Sequence, residues 1–189
     1  MIDYRQLALD AVQLVKLVTG LPDGNVIVGN QADAPSPVGT YAAVKVISDQ
    51  NRGGANKHMR SSPPVNVPGL GTITNFIDTT RVQKIVQIDI NFYRDNAQAY
   101  ASSLAEANKR EIVSAFLWAR KLGWQRVGPV NNLTELEAGN FEPRAQVSMY
   151  LYIEDVVEDT INKIYRVAYN VKDEAMETLT EGEANGLSG

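Results

Sequence analysis

The sequence predicts an α+β fold: a mostly antiparallel sheet with an N-terminal helix and a long central helix packed on one face, plus a long loop or hairpin excursion over residues 50–71. Three observations carry this. Residues 3–18 and 95–121 repeat apolar side chains at helical spacing. Several other stretches alternate apolar and polar residues with period two. The last strands lie close together in the chain, which favours antiparallel pairing. The 189 residues suffice for one hydrophobic core. They read as a single domain, 1–171, followed by an acidic flexible tail, 172–189.

In the first helix, Leu7, Ala11, Leu14, Val15 and Val18 share a face, with Asp3 as N-cap and Gly20 and Pro22 as the stop. Residues 25–29 are a short strand, followed by a loop with Pro35 and Pro37. Residues 41–49 are a strand with Ala42, Val44 and Val46 on one side. Residues 50–71 hold four Gly and three Pro, and excursions of this length carry function or disorder. Residues 72–77 and 81–93 read as the two strands of a hairpin. In the second, Val86, Ile88, Ile90 and Phe92 face the core, and Gln87, Asp89 and Asn91 face away.

Residues 95–121 read as one uninterrupted helix, capped by Asp95 and ended by Gly123. Its buried stripe is Ala97, Ala101, Leu104, Asn108, Ile112, Ala115, Phe116 and Ala119, with Arg120 and Lys121 in the last turn. An edge strand is expected near 125–130, because Pro129 excludes a central position. Residues 144–155 and 160–171 are the last two strands, and the acidic run Glu154–Asp159 is the solvated turn between them. Residues 175–189 read as mobile.

Composition excludes much chemistry. With no Cys there is no disulfide, thiol nucleophile or thiolate metal site, and with His58 as the single His there is no His-rich one. No apolar run is long enough to span a membrane, and the chain reads as a soluble protein made in a cytoplasm. The net charge of −4 lies wholly in residues 172–189, because residues 1–171 carry 17 bases and 17 acids. A balanced body does not mark a nucleic-acid binder.

No catalytic group, cofactor or metal is expected. His58 sits in a Gly/Pro-rich loop beside Lys57 and Arg60 and reads as a solvated loop residue, not as a catalytic base. Gly53-Gly54 and Pro68-Gly69-Leu70-Gly71 match no phosphate-binding fingerprint. Glu135 and Glu137 share a strand face without the spacing of a calcium loop. If the scaffold bound a small ligand, Asp89 and Asn91 would be the first candidates.

Two features suggest contact with other macromolecules. Arg52, Lys57 and Arg60 form a basic stretch, with no acid between residues 50 and 71. It reads either as a contact for phosphate or an acidic surface, or as a solvated loop. Tyr150 and Tyr152 lie opposite the apolar face of their strand, and Tyr165 and Tyr169 follow on the next. Together they read as a subunit contact or as a second packed layer.

The order of these elements resembles the bacteriophage neck and tail terminator (tail completion) family. The resemblance rests on the N-terminal amphipathic helix, the approach Pro35-Ser36-Pro37-Val38-Gly39-Thr40-Tyr41 leading to Lys45-Val46, the strand Val86-Gln87-Ile88-Asp89-Ile90-Asn91-Phe92-Tyr93, the Ala-rich start Asn96-Ala97-Gln98-Ala99-Tyr100-Ala101, and Phe141-Glu142-Pro143-Arg144-Ala145. It spans roughly residues 3–170, and Pro143 departs from the pattern.

The resemblance implies a structural virion protein: a ring-forming subunit, commonly six copies, that caps the head-proximal end of the tail tube. It implies partners in the tail tube protein, the head connector and, in contractile tails, the sheath, with DNA only as passing cargo. It also implies a place in the virion neck after assembly in the host cytoplasm. The alternatives are a head-completion or stopper-type connector protein, or a small-ligand-binding α+β domain.

Overall fold

The computed structural model describes residues 2–29, 36–67, 71–137, 140–161, 166–172 and 178–185. Pro35, the run Pro68-Gly69-Leu70, Tyr165 and the tail residues 173–177 and 186–189 lie outside them. Helix α1 (Tyr4–Thr19) leads to β1 (Val26–Val28), β2 (Tyr41–Asn51), β3 (Asn56–Ser61), β4 (Val65–Val67), β5 (Gly71–Ile73) and β6 (Phe76–Tyr93). Helix α2 (Ala97–Ala105), a 3-10 turn (Ala107–Lys109) and α3 (Glu111–Ala119) follow. The chain continues with β7 (Gly123–Val127), β8 (Asn131–Asn132), β9 (Glu135–Glu137), β10 (Asn140–Glu142), β11 (Arg144–Ile161), β12 (Arg166–Lys172) and β13 (Thr178–Asn185). Helices and a largely antiparallel sheet make this the expected α+β fold.

Two compact units emerge, Met1–Ala55 with Arg81–Val156, and Asn56–Thr80 with Val157–Gly189. These boundaries differ from the 171/172 boundary read from charge, because composition marks where acids lie and not which segments pack together.

The first unit is built on the sheet path β1-β2-β6-β11-β7. Strands β1 and β2 are parallel, whereas β2 with β6 and β11 with β7 are antiparallel. The β2–β6 ladder runs from Tyr41↔Tyr93 to Asn51↔Lys84. Strand β7 ends the path, as an edge strand followed by Pro129 should. Val86, Ile88, Ile90 and Phe92 of β6 and Ala145, Val147, Met149 and Leu151 of β11 are buried in one cluster with Leu14 and Val15 of α1 and Leu104 of α2. Helix α1 begins where Asp3 Oδ1 accepts from the amides of Arg5 (2.9 Å) and Gln6 (3.0 Å). It ends at Gly20, whose φ of 72° only glycine adopts without strain and whose N–H reaches the Lys16 carbonyl.

The 95–121 segment is not one helix. Arg110 is extended (φ −95°, ψ 125°) and separates the 3-10 turn from α3. Its Nη1 donates to the Val18 carbonyl (3.1 Å) at the end of α1, a contact 92 residues away that periodicity cannot register. The break resets the helical phase. Ala97, Ala101 and Leu104 are buried as expected. Beyond the break Val113 and Leu117 point inward, while Ile112, Ala115 and Ala119 of the expected stripe are exposed. The start and stop differ too. Asn96, in the left-handed region, precedes α2, and Lys121 (φ 56°) makes the left-handed turn expected of Gly123.

Strands are longer than read. Residues 76–93 are one strand, so 72–77 and 81–93 are not a hairpin, and β5 pairs with β4 instead. The β-branched pair Thr79-Thr80 keeps the chain extended, and β3 pairs with β6. Likewise β11 runs through Glu154–Asp159, where a turn was expected. Cations on β3 and β6 meet its acids: Arg81 with Glu154 (3.1 Å), Lys84 with Asp155 (3.1 Å) and Arg60 with Glu158 (3.2 Å). Among the described residues, strand β12 pairs with β13 and not with β11. Residues 178–185, read from composition as part of a flexible tail, thus have a backbone ladder from Thr178↔Lys172 to Asn185↔Arg166.

Candidate interaction surfaces

The face of the first unit's sheet opposite the core carries Lys45, Gln87, Asp89, Asn91, Tyr93, Arg144, Gln146, Ser148, Tyr150 and Tyr152, because side chains alternate along each strand. Asp89 accepts from Ser148 Oγ (2.7 Å), Gln87 Nε2 (3.0 Å) and Gln146 Nε2 (3.3 Å). Arg144 Nη2 donates to Asn91 Oδ1 (3.3 Å). A recess of about 330 Å³ borders Lys45, Asp89, Asn91, Arg144 and Gln146. Asp89 and Asn91, the first candidates for a ligand site, are thus engaged by neighbouring side chains of their own sheet, which orders this face.

Each tyrosine of this face has an arginine against its ring. Tyr41 and Tyr93 stack at 4.5 Å between centroids, with Arg94 over Tyr41 (5.2 Å) and Arg144 over Tyr93 (5.1 Å). Arg126 lies 3.6 Å from the centroid of Tyr150, and Arg52 lies 4.5 Å from that of Tyr152. These cation–π contacts hold the half-buried rings of Tyr93, Tyr150 and Tyr152 at the surface, with the buried Tyr41 behind Tyr93. Two of the five residues singled out by sequence, Arg52 and Tyr152, therefore meet, and Tyr150 lies two residues along the same strand. The side chains of Tyr165 and Tyr169 lie outside the described residues.

Lys57 and Arg60 belong to the second unit, on the exposed strand β3. Lys57 Nζ is 3.8 Å from Asp78, and Arg60 is 3.2 Å from Glu158, whose Oε1 also accepts from Thr79 Oγ1. The stretch without acids in sequence thus acquires acidic neighbours from β6 and β11. Both cations stay largely exposed, so these pairs contribute little to stability.

At the end of the β2–β6 ladder, Lys84 lies between Asp49 (3.0 Å) and Asp155 (3.1 Å). Its hydrogen bonds to both carboxylates raise the Lys84 pKa. The bond from Lys84 holds Asp49 below the usual carboxylate range. At Asp155 burial pushes upward, but the Lys84 bond and charge help bring the net shift below the usual range.

The surface that sequence reasoning missed is on α3. Trp118 is 86% exposed, and Ile112 is 51% exposed. Trp118, Leu122, Tyr152 and Ile153 line an open groove of about 690 Å³, with Arg52 and Lys121 at its rim. Gly123 permits the close approach of β7 to β11 here, because a Cβ would meet Tyr152 Cβ at 3.2 Å. A signal was present in the sequence: Trp118 lies off the predicted apolar stripe.

Among the described residues, no helix is long and apolar enough to cross a membrane, and no three His, Cys, Asp or Glu side chains are grouped to hold a metal ion. No curated protein matches the sequence. The model of the phage neck terminator protein family matches residues 8–175, which takes in most of α1 and the whole described sheet of the first unit; the chain belongs to this family of structural phage neck proteins.

Proposed function

We propose that the chain forms a ring, of six copies, that caps the head-proximal end of a phage tail tube and joins it to the head connector. The observation that carries this reading is the exposed apolar surface of α3, headed by Trp118, on a chain of the neck terminator family. A subunit that works by assembly needs faces left unsatisfied in the single copy, and apolar patches rimmed by charge mark such faces. Ring closure needs two different surfaces that meet head to tail. The ordered sheet face with Arg52, Tyr150 and Tyr152 supports a lateral contact, and Lys57 and Arg60 on β3 offer exposed cations to an acidic neighbour.

Native mass spectrometry and negative-stain microscopy, on the purified chain and on the chain mixed with tail tubes, test the reading. A closed ring alone or on tube ends is expected. A monomer under both conditions overturns it, and location on the portal side of the joint replaces it with a connector role. Changing Arg52, Lys57 and Arg60 to Glu should impair assembly while leaving the circular dichroism spectrum intact.

A further inference from the structure

We propose that the Trp118 groove seats the acidic β12–β13 segment of a second copy of the chain. The inference rests on the ring reading and names its lateral contact.

The groove has two unmet demands. Trp118, 86% exposed, forms the solvent side of an apolar wall whose floor includes the buried Leu122, and a tryptophan in such a groove is the side chain most often found at the energetic centre of an interface. At the rim, neither Arg52 nor Lys121 has a carboxylate within ion-pair distance among the described residues. The acid beside them, Glu154, is paired with Arg81. The groove therefore suits an occupant that is apolar along its length and negative at its edges.

Of the segments that mix acids with apolar residues, 166–185 holds five acids, more than the three of β9–β10. Residues 1–171 are electrically balanced, whereas residues 166–185 carry Asp173, Glu174, Glu177, Glu181 and Glu183 against Arg166 and Lys172, with Met176 and Leu179 among them. Among the described residues β12 and β13 pair only with each other. A two-stranded ribbon alone is marginal in water, and docking would stabilise it. Groove and ribbon are different surfaces, so their contact is head to tail, the kind that propagates around a ring.

The Cys-free chain makes the test direct. Full-length Ala119→Cys and Glu177→Cys chains are mixed in equal amounts and bridged with a short bis-maleimide. A cross-linked pair containing one of each is expected. Adding Trp118→Ser, or Arg52→Glu with Lys121→Glu, to the first chain should reduce it about tenfold or more. Adding Glu181→Lys and Glu183→Lys to the second chain should restore it against the Arg52→Glu/Lys121→Glu partner. Circular dichroism and melting of each variant show that the fold is kept.

Absence of the mixed pair overturns the inference. So does bridging confined to single copies that carry both cysteines, or a pair indifferent to Trp118→Ser. Loss of tail-tube capture by Trp118→Ser with self-association intact would assign the groove to the tube protein and overturn it as well. Native mass spectrometry of the unmodified chain separates the two levels: multimers without the cross-link refute this contact alone, whereas no multimer, free or on tubes, refutes the ring.

Discussion

Helices α2 and α3 come from one stretch of apolar periodicity, have nine residues each and end opposite in burial. Helix α2 holds two large apolar side chains, Tyr100 and Leu104, and buries Leu104 completely with Ala97 and Ala101. Helix α3 holds five, Ile112, Val113, Phe116, Leu117 and Trp118, yet only Val113 and Leu117 are buried. The more apolar helix leaves more of its large apolar side chains outside the core. Apolar content therefore does not report burial when a single extended residue, Arg110, changes the phase. In α3 the excess lies where it can serve another chain.

The largest expected effect tests the buried helix. Leu104→Ala should destabilise the fold by about 2–5 kcal/mol, read as a lower denaturant midpoint, because it opens a cavity in the close-packed core. A smaller loss would mean that α2 is not anchored as described. Next is the break itself. Arg110→Ala removes the charged donor to the Val18 carbonyl and should cost about 1–2 kcal/mol. If α2 and α3 then merge, helical circular dichroism rises and the accessibility of Trp118 to a fluorescence quencher falls; Trp124 replaced by Phe isolates that signal.

Acid offers a perturbation common to both helices. Asp49 and Asp155 have lowered pKa values, so the stability they provide is present above about pH 4 and lost as pH falls through their shifted values. Lys84→Met should flatten this part of the pH–stability curve, and the change should be the same in Leu104→Ala and Trp118→Ser backgrounds, since neither residue touches the cluster. The smallest effect is Trp118→Ser itself: a change in folding stability within about 0.5 kcal/mol, checked by urea titration of the monomer. A large loss there would make Trp118 part of the core and remove the contrast.

Much of the fold was legible in sequence because it rests on local periodicity. Alternation sorted Val86, Ile88, Ile90 and Phe92 from Gln87, Asp89 and Asn91, and the same rule placed Tyr150 and Tyr152 on the face opposite Met149 and Leu151. The cap Asp3 and stop Gly20 were legible because each acts within four residues of its own position. The interaction surface was less legible. Lys57 and Arg60 read as a patch without acids, since their partners Asp78 and Glu158 lie on other strands. The run Glu154–Asp159 read as a turn, since the cations that keep it extended come from β3 and β6.

The sequence by itself determined the period of each element, which side of β6 and β11 enters the core, and the charge balance that separates residues 1–171 from the acidic end. Only the tertiary structure decided where the central helix breaks, which strands pair and which tryptophan is left in solvent. Those outcomes depend on meetings between residues dozens of positions apart: Arg110 with the end of α1, and Lys84 with two neighbouring strands. Their energies are comparable to local preferences of about 1 kcal/mol per contact, so packing overrides local pattern wherever the two disagree.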